Sequence, residues 1–352
     1  MEGLATGDWH FGSLMKHFRN PVQRQIFELN KIYQYAISNG VQHVFVAGDI
    51  SDTPSMDHDT YIQLVLFLKK YDGLIHTHYI AGNHDFSDIK KTSMDFLKVL
   101  VENGFFDTFS LYLTPELVQV DDCPVFFAPY PCLETIKSKR PKLNIAHVTY
   151  TGAIGDNGRT LRAKDEFQQS DGDFTISGHI HQQQILKSKR ALYCGNPYQK
   201  TFGESLPKGF VHFKARPTAD EIKFSYRAIN SKPDFQLINF HVSSRDDFAR
   251  LSDSDAVRYK LWLDEAVEVP KDIRLKFPNI TGGIFDVSTK KILESDPNTL
   301  MTQKRAHLDV LHGLGRYFKS NGFSKAQYLE ARGLVESAKN ELGLVIGDNY
   351  NR

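Results

Sequence analysis

Four short motifs each follow a brief apolar stretch: Gly7-Asp8-Trp9-His10, Gly48-Asp49-Ile50-Ser51-Asp52, Gly82-Asn83-His84-Asp85 and Gly178-His179-Ile180-His181. Their placement constrains the fold strongly. Ligand-type side chains repeated at the ends of short apolar runs match the way open α/β sheets present their sites, at the carboxyl ends of parallel strands. Each motif alone carries little; four in order point to one dinuclear metal site and to metal-assisted phosphoester chemistry.

The spacing between motifs agrees with that frame. A short strand ends at Asp8. From Pro21 to Asn39 the residues Val22, Ile26, Leu29, Ile32, Tyr33 and Ala36 recur at helical intervals, with Pro21 suited to a first turn and Gly40 to a stop. His43 to Ala47 reads as a buried strand, Tyr61 to Lys70 as a helix, Ile75 to Ile80 as the next strand, and the stretch around Met94 to Val101 as a helix. Leu111 to Leu113, Leu117 to Val120 and Val125 to Ala128 are short, β-rich and broken by Pro or Asp, which suits a meander. Leu143 to Ala146 and Phe174 to Ser177 deliver His147 and His179 to a rim. Further strands at Leu192 to Cys194, Phe210 to Phe213 and Ile222 to Tyr226 favour a two-sheet α/β sandwich over a single open sheet, and Lys187 to Arg190 reads as a hairpin turn.

The composition shifts near Asn230 to Pro233. Phe235 to Val242 and Val257 to Leu263 read as strands of a small α+β domain, and Thr302 to Phe318 and Ser324 to Leu342 as a terminal helical pair. The expected division is therefore a catalytic domain over 1–230, an accessory domain over 231–298 and helices over 299–352. A chain of 352 residues with 41% hydrophobic and 24% charged content has room for a catalytic domain of ~200 residues and smaller units beside it.

A net charge of +1 argues by itself for neither nucleic acid nor a membrane surface. Cys123, Cys132 and Cys194 lack CxxC spacing and fit free thiols in a reducing compartment, so a cytoplasmic protein is expected. Asp8 arrives early for a signal peptide, and no apolar run approaches the roughly 18 residues of a spanning helix.

The motifs can be read chemically. Asp8 and His10, two apart on an extended strand end, project to one side and can grip one cation. Glycine before each ligand, at 7, 48, 82 and 178, permits a tight turn. Asp49 is the natural bridge, since a carboxylate can give one oxygen to each of two ions. Asn83 offers a neutral oxygen, and His147, His179 and His181 offer imidazole nitrogens that suit Mn, Fe or Zn better than Mg or Ca. Two ions roughly 3.5–4 Å apart can activate a water and stabilise both the attacking and the leaving oxygen at phosphorus. His84, next to Asn83, is assigned as general acid. Asp52 is expected to accept a hydrogen bond from it and fix its tautomer.

Other histidines, at 17, 43, 58, 76, 78, 212, 241, 307 and 312, read as packed or surface side chains. Asp85 reads as structural, and the cluster Lys16-His17-Phe18-Arg19 first as a solvated charged loop, with contact to a passing phosphodiester backbone as the alternative.

These residues give the chain its resemblance to the calcineurin-like metallophosphoesterases, and within them to the SbcD family of DNA double-strand-break repair nucleases, including bacteriophage recombination members. The resemblance covers roughly the first 230 residues through GDWHFG, GDISD, GNHD, His147 in NIAHV, GHIH and the Gly195 to Tyr198 segment running on to Gly203-Glu204. It implies one metal held by Asp8, His10, Asp49 and His181, and a second held by Asp49, Asn83, His147 and His179, with manganese as the usual activator. It also implies 3′-to-5′ exonuclease action on duplex DNA, endonuclease action on single strands or hairpins, a capping domain, terminal helices docked on an SbcC-type ATPase, and a homodimer. Phosphatases of the superfamily usually show Arg-Gly after GDxxD and GNHE at the third motif; here Thr53-Pro54 follows Asp52 and Asp85 follows His84. An enzyme of small phosphoesters or cyclic nucleotides, and a noncatalytic scaffold on the same fold, are the alternative readings.

Overall fold

The computed structural model describes residues 1–88, 91–92 and 94–286. They fall into one unit, Met1–Leu261 with Glu268–Ile284, and a second that takes in Trp262–Val267 and Phe285 onward. In the second unit the rings of Trp262 and Phe285 lie 5.3 Å apart. The expected helices over 302–318 and 324–342 lie outside the described residues.

The first unit is built on two six-stranded sheets. In one, β1 (Glu2–Thr6), β2 (His43–Ala47), β3 (His76–Ile80) and β6 (Phe109–Tyr112) run parallel, and the long hairpin of β13 (Lys208–Pro217) and β14 (Ile222–Ser231) adds antiparallel beside β1. A small hairpin, β4 (Phe86–Asp88) and β5 (Lys91–Thr92), follows the third motif. In the other sheet, β8 (Cys123–Ala128), β9 (Leu143–Ala146), β10 (Phe174–Ser177) and β12 (Ala191–Tyr193) run parallel, with β7 (Glu116–Val120) and β11 (Gln184–Leu186) antiparallel at the edges. β15 (Gln236–Val242) and β16 (Val257–Leu263) are neighbours in a separate small sheet.

The central strands are buried on both faces, with a few polar side chains such as Asn144 and Thr175 buried among the apolar ones. Their alternation sorts side chains into two layers. Val44 and Val46 of β2 pack with Leu29, Ile32 and Tyr33 of helix α1 (Pro21–Ser38) and with Leu64 and Phe67 of helix α2 (His58–Tyr71), whereas Phe45 and Ala47 belong to the core that also holds Phe127, Ile145 and Ile176 of the second sheet. Helix α1 carries Pro at its start, and α2 begins at Asp57, whose side chain accepts from the Thr60 N–H at 3.0 Å. Fully burying each such apolar side chain is worth about 1.5–3 kcal/mol.

The expected two-sheet α/β sandwich is the observed architecture. Helix α3 (Asp95–Glu102) follows the third motif, and residues 187–190 turn between β11 and β12. No helix among the described residues is long and apolar enough to cross a membrane.

Candidate active site

The carboxyl ends of β1, β2, β3, β9 and β10 open on one rim, and the residues just beyond them are Asp8, Asp49, Asn83, His147 and His179. The backbone there is held in unusual geometry: Asp8, His10, Asp49 and His179 have φ of 52°, 44°, 53° and 80°. Left-handed conformations of non-glycine residues cost about 1–3 kcal/mol each and persist where surrounding bonds enforce them. The enforcing bonds are present. The Asp8 N–H donates to Gly48 O at 2.9 Å, the His10 N–H to Asp49 O at 3.0 Å, and the Phe11 N–H to Ile50 O at 2.8 Å, so the first motif lies along the second.

The glycines act mainly through close approach. A Cβ on Gly82 would fall 2.2 Å from Asp49 Oδ1, and one on Gly48, whose φ is 93°, 2.3 Å from His147 Nδ1. Gly178 is equally confined, 2.0 Å from Ala47 O. Gly7 departs from the expectation: a Cβ there meets nothing closer than 3.4 Å, an ordinary contact.

Two groups of donor atoms share Asp49. In the first, His10 Nε2 and His181 Nε2 face each other at 3.2 Å, His10 Nε2 lies 3.8 Å from Asp49 Oδ2, and His181 Nε2 lies 4.0 Å from Asp8 Oδ1. In the second, Asn83 Oδ1 lies 2.9 Å from both His147 Nε2 and His179 Nδ1, and His147 Nε2 lies 3.4 Å from Asp49 Oδ2. All seven expected metal residues therefore converge.

The donor set fits divalent cations. His147 Nδ1 donates to Ala47 O at 2.8 Å, so in the neutral ring Nε2 presents a lone pair toward the oxygens of Asn83 and Asp49. The oxygens gathered there favour positive charge, supplied by a proton on the ring or by a bound cation. Titration tells the same story. Burial pushes His147 down, but Asp49, Asp8 and the Ala47 carbonyl raise it to about 9. Burial also opposes the charge on His181, yet Asp156, Glu204 and Asp8 lift it to about 10. Burial raises Asp8 to about 6 against the pull of His147 and His181, while Asp49, despite its burial, is held well below the carboxylate range by His147 and His10. His179 is lowered to about 4 by burial and by His147, and His10 is lowered by burial and Lys200, so both rings are neutral near pH 7 and ready to ligate.

Around this centre the calcineurin-like phosphoesterase family matches residues 3–183, just over half the chain. The chain belongs to that family. As a calcineurin-like phosphoesterase it is a metal-dependent phosphoester hydrolase. Among solved structures, one described as a novel archaeal phosphodiesterase is similar at 14% identity and a TM-score of 0.28, over 56% of this chain and 84% of its own. A protein of unknown function from Aquifex aeolicus is similar at 16% identity and a TM-score of 0.19, over 39% of this chain and 64% of its own. No curated protein matches significantly.

His84 and Asp52 meet in a way the sequence reading does not anticipate. His84 Nδ1 donates to the main-chain carbonyl of Asp52 at 2.7 Å, and the Asp52 carboxylate lies instead 2.8 Å from Lys200 Nζ and 3.5 Å from His10 Nδ1. The reason is local. The Asp52 N–H donates to Phe11 O at 3.3 Å, which lays the turn against the first motif, so the side chain faces His10 and the carbonyl faces His84. The main-chain carbonyl of Asp52, in place of its carboxylate, holds Nδ1 of His84 and leaves Nε2 for proton exchange. The His84 N–H also donates to Asp49 Oδ1 at 2.8 Å. Asp85 ties the second and third motifs together by accepting from Ser51 N at 3.0 Å, Ser51 Oγ at 2.7 Å, Gly82 N at 2.8 Å and Tyr79 OH.

Several site residues escape sequence reasoning. Buried Glu204 accepts from Lys208 Nζ at 2.7 Å and Asn196 Nδ2 at 2.9 Å, and its Oε1 lies 3.2 Å from His181 Nδ1, which also faces Asp156 Oδ2 at 3.0 Å. Gln25 of α1 donates to His10 O at 2.8 Å and bonds Tyr198 OH at 3.1 Å, bracing the first motif. The Gly195 to Glu204 segment is noticed in the sequence only as a closing element. No motif marks Lys200, Asp156 or Gln25.

Proposed function

We propose that this phosphoesterase is a manganese-dependent DNA nuclease of the SbcD type, acting as a 3′-to-5′ exonuclease on duplex DNA and an endonuclease on single strands. The observation that carries the two-metal part is the convergence of two donor groups on Asp49, one with His10 and His181 and one with Asn83 and His147. Asp8, His10, Asp49 and His181 would hold one ion and Asp49, Asn83, His147 and His179 the other, an N and O set without thiolate that suits Mn2+. Once bound, two such ions activate the attacking water and neutralise charge on the phosphoryl oxygens.

The chain's own groups do the rest. The Asp52 carbonyl holds Nδ1–H of His84, so that Nε2 can protonate the departing oxygen. Asp156 and Glu204 stand 3.0 and 3.2 Å from Nδ1 of His181, on the side of the ring opposite the Nε2 that faces His10 and Asp8. Support for DNA as substrate comes from the ordered motifs and from Asp85 and Thr53-Pro54 standing where monoester phosphatases usually carry other residues. In this reading 231–298 forms a capping domain, 299–352 docks on an SbcC-type ATPase, and the nuclease works as a homodimer.

The test is a comparison, in Mn2+, of end-labelled duplex DNA, a small phosphomonoester and a cyclic nucleotide, with Asp49→Ala as control. Cleavage of DNA that Asp49→Ala abolishes is expected. Turnover of only the small esters would overturn the nuclease assignment, and a pull-down of the ATPase that survives removal of 300–352 would overturn the docking assignment.

A further inference from the structure

A cleft of about 490 Å³ opens directly beside the second group of donors, with Asn83, His147 and His179 at one end. Any substituent on a phosphorus bound there that points this way must enter it. The volume lies within the roughly 300–1,000 Å³ of sites that enclose small organic groups, so it takes a unit the size of a nucleotide. Its other walls are chemically mixed. Tyr130, 40% exposed, presents an aromatic ring, with the Phe86 ring 6.2 Å behind it.

Arg162 and Lys164 also line the cleft, and both are exposed. Neither has an ion-pair partner among the described residues, in contrast to the nearby Lys189, paired with Glu166 at 2.6 Å. The backbone that carries them is fixed: the Ala163 N–H donates to Thr151 Oγ1 at 3.0 Å, the Leu161 N–H to Ala153 O at 2.7 Å and the Gly152 N–H to Leu161 O at 2.9 Å. Asp165 also lines the cleft and leaves it one net positive charge.

This combination discriminates among phosphoesters. A phosphorylated side chain or a cyclic nucleotide carries one phosphate, which the metal site takes, and gives two unpaired cations nothing to bind. A polynucleotide brings a second phosphate and a base with every step along the strand. An aromatic ring beside basic groups is the arrangement that takes single strands, by stacking and by phosphate contact.

We infer that this cleft seats the nucleotide next to the scissile phosphodiester, with Tyr130 stacking on its base and Arg162 and Lys164 holding the next phosphate. The inference rests on the phosphodiesterase reading and supplies the substrate class from this chain's own side chains.

The test is fluorescence anisotropy of a labelled single-stranded DNA oligonucleotide with the full chain in EDTA, titrated over salt. Arg162→Ala/Lys164→Ala should reduce the slope of log Kd against log salt by about 0.7, the contribution of one neutralised phosphate on a single strand. Tyr130→Ala should weaken binding about five- to 150-fold, with Tyr130→Phe close to wild type. Lys98→Ala/Lys276→Ala, which removes the same charge from surface pairs with Glu102 and Asp272, should leave the slope unchanged. An unchanged slope in the cleft variant, or an equal fall in the matched variant, would overturn the inference. Wild-type hydrolysis of a small chromogenic phosphodiester in Mn2+ is read separately: its absence sinks the phosphodiesterase reading, and its presence with unaltered binding sinks the cleft alone.

Discussion

At His84 the difference between a proton donor and a metal ligand comes down to one ring nitrogen. Its Nδ1 is committed to the Asp52 carbonyl, yet a donor atom of His84 also falls within 4.8 Å of atoms of His10 and Asp49. His84→Ala should retain its metal content while turnover falls by about 10²–10⁴-fold, the usual worth of general acid catalysis. Loss of metal in proportion to activity, measured by elemental analysis, would make His84 a ligand instead. His181 poses a complementary question, since its orientation depends on Glu204 and Asp156. Removing such an outer partner commonly costs 10–100-fold in metal affinity, so Glu204→Gln should weaken Mn2+ binding by about that factor, and Asp156→Asn, on a partly exposed loop, by less. Calorimetry showing wild-type affinity in both would mean that packing alone orients the ring. The ligands themselves are legible because each follows an apolar run; Glu204 and Asp156 are not, because their role depends on loops that meet His181 only in the folded chain.

Among the elements, β2 and β3 carry chemistry at both ends. Opposite the metal rim, His43 Nε2 lies 3.3 Å from Asp121, His43 Nδ1 lies 3.1 Å from His78 Nε2, and His78 Nδ1 lies 3.3 Å from Tyr112 OH. A consistent set of donors runs from Tyr112 through His78 and His43 to Asp121 with both rings neutral. The expectation that His43 and His78 are packed side chains agrees with this, although His43, His76 and His78 are close enough to look like a metal set. Burial, with His76 and His43 alongside, pushes His78 down to about 2 from the ordinary imidazole value of 6.5. The unfolded chain therefore takes up a proton that the fold refuses. This contribution to stability is complete above about pH 6.5 and is lost as pH falls toward 2, at up to about 1.4 kcal/mol per pH unit. His78→Phe should flatten the pH dependence of urea midpoints between about pH 6 and 4 by that slope; an unchanged slope would mean that the folded state admits the proton. The five-residue strand β2 is readable as an apolar run and β3 through the β-branched and aromatic residues among its histidines, whereas β11 is only three half-buried residues and β14 keeps pairing to Ser231 after the strand pattern read to Tyr226, because its far half is mostly exposed.

At the scale of the catalytic unit, two parallel-cored sheets bring their carboxyl ends to a common rim, and neither sheet has a complete site by itself. Asp8, His10, Asp49 and Asn83 follow strands of the first sheet; His147, His179 and His181 follow strands of the second. Sequence periodicity indicates two sheets, but only the fold shows that Asp49 from one and His147 from the other meet at 3.4 Å. Asp49 is placed to join two cations in one centre. Isothermal titration of the full chain with Mn2+, beside Asp49→Ala, tests it directly. Two ions per chain are predicted, with both high-affinity sites lost in the variant; a single ion in the wild type, or two retained without the Asp49 carboxylate, would contradict it.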